Sequence, residues 1–83
     1  MRVTLKLFAS LHDLLPPGTS WNGVEIDVPE DATPHQLMDR YRVPHPLVHL
    51  VLHNSFFLER EKRDQPVLRD GDVLAVWPPV AGG

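Results

Sequence analysis

The sequence has no cysteine among its 83 residues. Without a thiol the chain can form no disulfide and no thiolate zinc site, and it has no catalytic cysteine. The absence is typical of a protein that stays in a reducing compartment. We therefore expect a cytoplasmic location.

Positive charge is also scarce. Eight Lys and Arg residues stand against 11 Asp and Glu residues, which gives a formal net charge of -3. Nucleic-acid binding depends mainly on clustered Lys and Arg, so we expect no nucleic-acid partner. The one basic run, from Arg60 to Arg63, is flanked by Glu59 and Asp64 and is interpreted as a solvated loop of mixed charge.

Long hydrophobic runs are missing as well. Thr4 and Lys6 interrupt the apolar residues near the start of the chain, and no stretch approaches the length that crosses a bilayer. We expect no membrane partner. A chain of 83 residues with 42% hydrophobic content has room for one core, and we expect one domain at 1–77 followed by a flexible tail at 78–83.

Alternating residues predict two opening strands. Val3, Leu5 and Leu7 alternate with polar neighbours in the segment 2–8, and the segment 24–28 alternates in the same way. The pair Asn22-Gly23 tolerates a positive φ and predicts a turn into the second strand. The first two strands are therefore predicted to form an antiparallel hairpin.

A short helix is predicted next. Thr33 and Gln36 have the spacing of a capping box, and Pro34 occupies the first helical position. Leu37, Met38 and Tyr41 form one apolar stripe, and Pro44 and Pro46 prevent a longer helix.

The remaining strands follow the helix. Leu47 to Leu52 predicts a strand, His53-Asn54-Ser55 a turn, and the segment 56–58 the second arm of a hairpin. Asp70-Gly71 predicts a turn into a last strand at 73–77. This pattern by itself supports an α+β protein with a sheet covered on one face by a single helix.

The chain ends in an apolar tail, Pro78-Pro79-Val80-Ala81-Gly82-Gly83. The two prolines cannot extend the sheet and stiffen the base of the tail, whereas glycine at the last two positions lets the backbone enter a narrow channel. Gly-Gly at a chain end can also be a frayed terminus, but its position directly after a Pro-Pro break favours a functional end.

The carboxylate of Gly83 is the candidate reactive group. A terminal carboxylate has a pKa of about 3.5, so at neutral pH it is an anion and a poor acyl donor. Adenylation by ATP would convert it into a mixed anhydride that a sulfur donor or a thiol could attack. This chemistry needs no catalytic side chain in the chain itself, and the sequence shows no nucleophile elbow and no phosphate-binding glycine loop.

The C-terminal stretch from Leu68 to Gly83 resembles the end of the MoaD/ThiS family, which includes the sulfur-carrier subunit of molybdopterin synthase and the sulfur carrier of thiamine synthesis. The Gly71-Asp72 turn, the apolar strand and the Pro-Pro-Val-Ala-Gly-Gly ending carry the resemblance, with weaker similarity at residues 7–11 and 33–37. It implies a β-grasp (ubiquitin-like) fold with a mixed sheet of four to five strands packed on one helix.

The resemblance also implies roles for the tail. Gly83 would be adenylated and then converted to a thiocarboxylate, Gly82 would fit the partner's channel, and residues 78–81 would form the arm that reaches into it. The implied partners are a ubiquitin-activating-enzyme-like adenylyltransferase, a sulfur donor protein and a larger synthase subunit. The chain would be a carrier and not an enzyme, with no bound cofactor, and ATP would be consumed by the activating partner.

Strand alternation predicts a docking face near the tail. If Leu74 and Val76 enter the core, Trp77 lies on the opposite sheet face together with Phe8. An aromatic patch there is a plausible partner surface, although Trp77 could equally just cover the sheet edge.

Three histidines, His45, His49 and His53, recur every four residues. The neighbouring prolines oppose a helix that would align them, so surface imidazoles are expected and no metal site.

Several functions remain open at this point. The departures from the molybdopterin pattern include His53-Asn54-Ser55, in which only Asn54 matches the family's usual turn. A carrier for molybdopterin synthesis is favoured. The alternatives are a carrier for thiamine or another sulfur-transfer route, a ubiquitin-like modifier of protein lysines, and a β-grasp interaction module that is never activated.

Overall fold

The computed structural model describes residues 1–19 and 21–80. In these residues one mixed sheet has five strands in the order β2-β1-β5-β3-β4. The central strands β1 and β5 run parallel, and the other neighbours are antiparallel. The elements are β1 (Arg2–Leu7), β2 (Gly23–Asp27), α1 (Pro34–Arg40), β3 (Leu50–His53), β4 (Phe56–Phe57) and β5 (Val73–Trp77). The sheet with its single α-helix confirms the predicted β-grasp fold.

The opening hairpin forms as its alternation predicts. Val3, Leu5 and Leu7 of β1 are buried, and β1 pairs with β2 in antiparallel register. The prediction of a positive-φ turn at Asn22-Gly23 was wrong. Gly23 already belongs to β2 and pairs with Lys6, while the positive φ of the connection is found at Gly18.

Helix α1 begins at the predicted capping box. The Gln36 backbone N–H donates to Thr33 Oγ1 at 3.2 Å, and the Thr33 N–H donates to Gln36 Oε1 at 3.0 Å. These two bonds satisfy N–H groups that a helix start would otherwise leave unpaired. The helix buries Leu37 and Met38 against the sheet and ends before Tyr41.

The third strand starts later than the sequence predicts. Residues His45–Leu47 form a 3-10 turn, and β3 runs from Leu50 to His53. The reason is the Pro44 and Pro46 pair, which bends the chain before it can join the sheet. The second arm of the hairpin is the two-residue strand β4, entered through a turn with positive φ at Asn54 and Ser55.

The basic run after β4 is not a purely solvated loop, which corrects our interpretation. Arg60–Lys62 forms a 3-10 turn, and Arg63 is buried with its Nε–H donating to the Leu58 carbonyl at 3.1 Å. Its backbone carbonyl also accepts from the His35 N–H at 2.9 Å. Arg63 thus ties the segment after β4 to α1.

The core lies between the sheet and α1. It takes side chains from each layer and from the connections between them. The fully buried members with large side chains are Val3, Leu5, Leu7, Leu11, Leu37, Met38, Val51, Leu74 and Val76. No helix in the described residues has the length and apolar character of a membrane span.

Candidate functional site

The two aromatic residues predicted to share a face are in contact. Phe8 follows β1 and Trp77 ends β5, and parallel strands bring these positions to the same edge of the sheet. Their rings stack with centroids 4.3 Å apart and an interplanar angle of 2°. The Phe8 N–H donates to the Val76 carbonyl at 3.1 Å, which fixes the backbone beneath the rings. Each ring covers part of the other, so both are half-buried.

The outer sheet face extends this contact toward β4. Leu50 lies opposite Trp77, Leu52 opposite Ala75, and Phe57 opposite Leu52. Paired residues of antiparallel strands project to the same side, and Val51 and Val76 occupy the core side. The outer face thus carries a continuous apolar surface, which we call the outer-face patch: Phe8, Leu50, Leu52, Phe57, Ala75 and Trp77.

Exposure varies across this patch. Phe57, at the edge strand, is 61% exposed, whereas Leu50 and Leu52 are half-buried. Ala75 is covered by its neighbours yet takes no part in the core cluster, as expected for a residue on the outer side. An apolar surface with an aromatic at each end is the kind of surface that protein partners bind.

The tail starts at one end of this patch. Pro78 is half-buried, while Pro79 and Val80 are exposed. The Trp77 carbonyl still accepts the His49 N–H at 3.0 Å, so the last sheet-like bond lies directly before Pro78. Three residues of the predicted tail lie outside the described residues: Ala81 of the arm, Gly82 that would fit the channel, and the reactive Gly83.

At its other end, β5 is anchored by a polar network around Asp72. The carboxylate contacts His53 Nε2 at 2.6 Å and accepts from Asn54 Nδ2 and the Arg69 N–H, each at 2.9 Å. Asn54 Oδ1 in turn accepts the Val73 N–H at 2.8 Å. This network locks the β3-β4 turn to the start of β5 and gives the family-matching Asn54 a structural role.

Ionisation of Asp72 follows from these contacts. Burial alone would raise the pKa of its carboxyl, but the hydrogen bonds from Asn54, His53 and the Arg69 N–H outweigh it and lower the pKa below its ordinary value. The carboxylate is therefore ionised at neutral pH.

Of the three spaced histidines, His45 and His49 line one cleft, whereas His53 lies apart from them. His53 is partly buried in the Asp72 network, which corrects the expectation of a surface imidazole. His45 Nε2 contacts Asp39 at 2.8 Å, and its ring stacks on His35, while His49 lies before β3. Within residues 1–19 and 21–80, no three His, Asp or Glu side chains are grouped as metal ligands would be.

Alternation in the sequence correctly placed the neighbours Phe8 and Trp77 on the outer face but did not reveal Leu50, Leu52 and Phe57. The segment 47–52 is almost uniformly apolar, so its alternation is hidden, and the β3 register that places Leu50 beside Trp77 is set by pairing across the sheet. If the strand had been predicted to begin at Leu50, alternation would have placed Leu50 and Leu52 on the outer face with Trp77.

Comparison with known proteins identifies a sequence family and several solved structures with a similar fold. The sequence model described as the ThiS family matches residues 5–83. No curated protein matches the chain significantly.

Among solved structures, SAMP1 from Haloferax volcanii is 27% identical with a TM-score of 0.68 and covers 100% of both chains. The small archaeal modifier protein 1 (SAMP1) of Methanosarcina acetivorans is 20% identical with a TM-score of 0.65, covering 99% of this chain and 96% of that one. A complex of subunits 1 and 2 of the molybdopterin-converting factor from Helicobacter pylori gives 24% identity and a TM-score of 0.58, with 100% of both chains covered.

Proposed function

The chain belongs to the ThiS family, and from this we propose that it is a sulfur carrier whose C-terminal carboxylate at Gly83 is activated and then loaded with sulfur. One observation carries the proposal: the family match continues through Gly82 and Gly83. The fold supports it, because β5 leads directly into the Pro78-Pro79 base of that tail. With no cysteine in the chain, the terminal carboxylate is the group suited to hold the sulfur.

The proposed chemistry takes place in two steps on the carrier's terminus. A carboxylate oxygen of Gly83 bonds to the α-phosphorus of ATP, and pyrophosphate leaves. A donor supplying sulfur at the oxidation level of sulfide then attacks the acyl carbon. The C–S bond forms, the C–O bond to phosphate breaks, AMP leaves with the electron pair, and the proton is released to water. An adenylyltransferase holds the nucleotide, so the carrier is its substrate and binds no cofactor of its own.

The outer-face patch is the proposed docking surface for these partners. It adjoins the tail at Trp77, so a protein that holds residues 78–83 in a channel must also approach the patch. Its aromatic ends and half-buried leucines offer apolar area that a partner can cover. The same surface would serve the activating enzyme and the larger synthase subunit in turn.

Molybdopterin synthesis is the pathway we propose. The Pro-Pro-Val-Ala-Gly-Gly ending resembles that branch of the family. The H. pylori complex shows a chain of this fold assembled with a second subunit of a molybdopterin-converting factor. Thiamine synthesis or another sulfur-transfer route is the alternative within the same chemistry.

A second candidate is a ubiquitin-like modifier. The 27% identity to SAMP1, whose name describes a modifier, favours it. In that case the acyl-adenylate would pass to a thiol and then to a lysine amine, forming an isopeptide bond instead of a thiocarboxylate.

Mass spectrometry tests both candidates. Full-length protein is incubated with ATP, the adenylyltransferase and the sulfur donor of its own organism. The carrier role predicts an AMP adduct on Gly83 and then a mass increase equal to the replacement of oxygen by sulfur. Deletion of Gly83 should abolish both. Isopeptide adducts to lysine in place of the thiocarboxylate would favour the modifier, and an unmodified terminus under all conditions would refute both.

A further inference from the structure

A cleft of about 380 Å³ lies beside the base of the tail, where Pro79 forms part of its wall. Its polar lining is entirely imidazole and guanidinium, from His35, His45, His49, Arg60 and Arg63, and includes no carboxylate. The chain as a whole has a net charge of -3 with its histidines counted as neutral, so two guanidiniums in one cleft run against its composition.

Arg63 is the central group of this cleft. It is only 4% exposed, and its Nε–H donates to the Leu58 carbonyl. No Asp or Glu in residues 1–19 and 21–80 forms an ion pair with it. No buried side-chain nitrogen of the described residues lacks a partner, so the terminal nitrogens of Arg63 are in contact with solvent, and its guanidinium carbon lies 6.0 Å from the centroid of the Phe57 ring. A buried guanidinium that no carboxylate contacts directly is costly, and a bound anion would reduce the cost.

Arg60 adds a second positive charge to the same cleft. Desolvation by burial lowers the pKa of Arg63 and repulsion from Arg60 lowers it further, while attraction to the nearby Glu61 carboxylate opposes both effects without outweighing them. Like charges that share a lining destabilise each other unless an anion lies between them. Arg60 itself is exposed and has no acidic partner within ion-pair distance in the described part of the chain.

Two stacked imidazoles also line the cleft. His35 Nδ1 contacts Asp64, His45 Nε2 contacts Asp39, and the two ring centroids are 4.7 Å apart. Each carboxylate orients its ring, and the second ring nitrogen is an acceptor in a neutral imidazole and a donor only in a protonated one, so the guanidiniums are the donors of the cleft. Both aspartates lie outside the lining and are exposed to solvent.

We propose that this cleft binds a phosphate dianion, supplied either as free phosphate or as the terminal phosphate of a small molecule. Two guanidiniums match the charge of the dianion, and their forked N–H groups match the geometry of its oxygens. A carboxylate has one charge and two oxygens, so it would leave part of this donor set unused. The volume exceeds that of one phosphate and leaves room for the molecule that carries it.

Titration of the full-length protein followed by NMR tests this site without any partner enzyme. The probes are inorganic phosphate, AMP and uncharged adenosine, at pH 7.5 and constant ionic strength. Phosphate and AMP should give saturable shifts of the His35, His45 and His49 ring signals and of the Arg63 Nε–H, whereas adenosine should give none. AMP binding at least fivefold tighter than phosphate would identify a phosphorylated small molecule as the ligand; equal affinities would identify free phosphate.

Arg60→Gln removes one charge at an exposed position and should weaken phosphate binding about tenfold, which corresponds to about 1.4 kcal/mol. Arg69→Gln is the matched control, since Arg69 is exposed, lies outside the lining and precedes the opposite end of β5. Its affinity should equal that of the unaltered protein. Because activation of Gly83 is not involved, the result is independent of the sulfur-carrier proposal.

Three results would overturn the phosphate site. The first is the absence of saturable shifts, or an Arg60→Gln affinity equal to that of Arg69→Gln. The second is tighter binding of a glutamate-rich peptide than of phosphate, which would assign the cleft to acidic side chains. The third is a rise of tenfold or more in phosphate affinity on deletion of residues 81–83, which would make the terminal carboxylate the anion of the cleft.

Discussion

Phe8 and Trp77 stack in parallel across the two central strands, with ring centroids 4.3 Å apart. One residue comes from the start of the chain and the other from the last position before the tail. The contact therefore fixes the place from which the tail leaves relative to the outer-face patch. Four predictions follow from this contact, the patch, the Asp72 network and the turn into β5.

Trp77→Ala should weaken binding to the activating enzyme by at least tenfold, because a half-buried aromatic of a docking surface beside the bound tail contributes strongly to affinity. Calorimetry with the purified enzyme measures the effect. Trp21→Ala is the matched control, since Trp21 is 49% exposed and precedes β2, at the far edge of the sheet. Equal affinities for the two variants would contradict docking through the patch.

Substitutions at the two residues of β4 distinguish binding through the outer face from binding through the exposed edge of the sheet. Phe57 lies on the outer side beside Leu52, whereas Phe56 pairs with His53 and projects to the other side. Phe57→Ser should raise the dissociation constant of the partner complex several-fold, and Phe56→Ser should leave it unchanged. Phe56 is the more exposed of the two, at 78% against 61%, so an effect that followed exposure alone would appear at Phe56 and refute the assignment.

Asp72 should make the stability of the fold sensitive to acid. Its folded-state pKa is lowered from the ordinary value of 3.8, because hydrogen bonds outweigh the opposing effect of burial. The ionised carboxylate thus stabilises the fold fully above that pH, and the stabilisation is lost as the pH falls through the lower folded-state value. The free energy of unfolding measured with urea should show this decline as the pH falls from 5 toward 2, beginning near the ordinary Asp pKa of 3.8.

Asp72→Asn tests the cause of that decline. The variant should lose about 1.5–3 kcal/mol of unfolding free energy at neutral pH, where the charged hydrogen bonds are intact in the unaltered protein. Its stability should then fall less on acidification. Asp31→Asn, at an exposed position, serves as control and should keep the full acid dependence. An unchanged acid profile in Asp72→Asn would contradict the role of this carboxylate.

Gly71→Ala should cost about 1–2 kcal/mol of unfolding free energy, because residue 71 has a positive φ that an L side chain adopts only with strain. Its φ is +87°, and an added Cβ would contact nothing within 4 Å, so the cost comes from the backbone alone. Thermal unfolding measures it. Gly71→Asn should recover part of the loss because Asn tolerates this conformation; equal losses for Ala and Asn would point to another cause.

Local signals in the sequence predicted much of the fold. The capping box at Thr33, the alternation of Val3, Leu5 and Leu7, and the Asp70-Gly71 turn each depend on nearby residues, and each is confirmed. The placement of Phe8 and Trp77 on one face also followed from alternation and is confirmed by their contact.

The errors come from interactions between distant residues. The register that places Leu50 beside Trp77 is set by pairing across the sheet, and the burial of Arg63 depends on Leu58 and α1. The pattern of charge and hydropathy along the chain does not show which distant residues contact each other. For the same reason the imidazole and guanidinium cleft could not be predicted, since its members are spread from His35 to Pro79.

The central position of β5 also has a mechanical consequence. The tail is continuous with a strand that is hydrogen-bonded on both sides, to β1 and to β3. A partner that pulls on the tail loads both ladders along the strand direction, so many hydrogen bonds share the force at once. A tail extending from an edge strand would transfer the load to one ladder only. A pull on the tail should therefore leave the sheet intact at loads that would separate an edge strand.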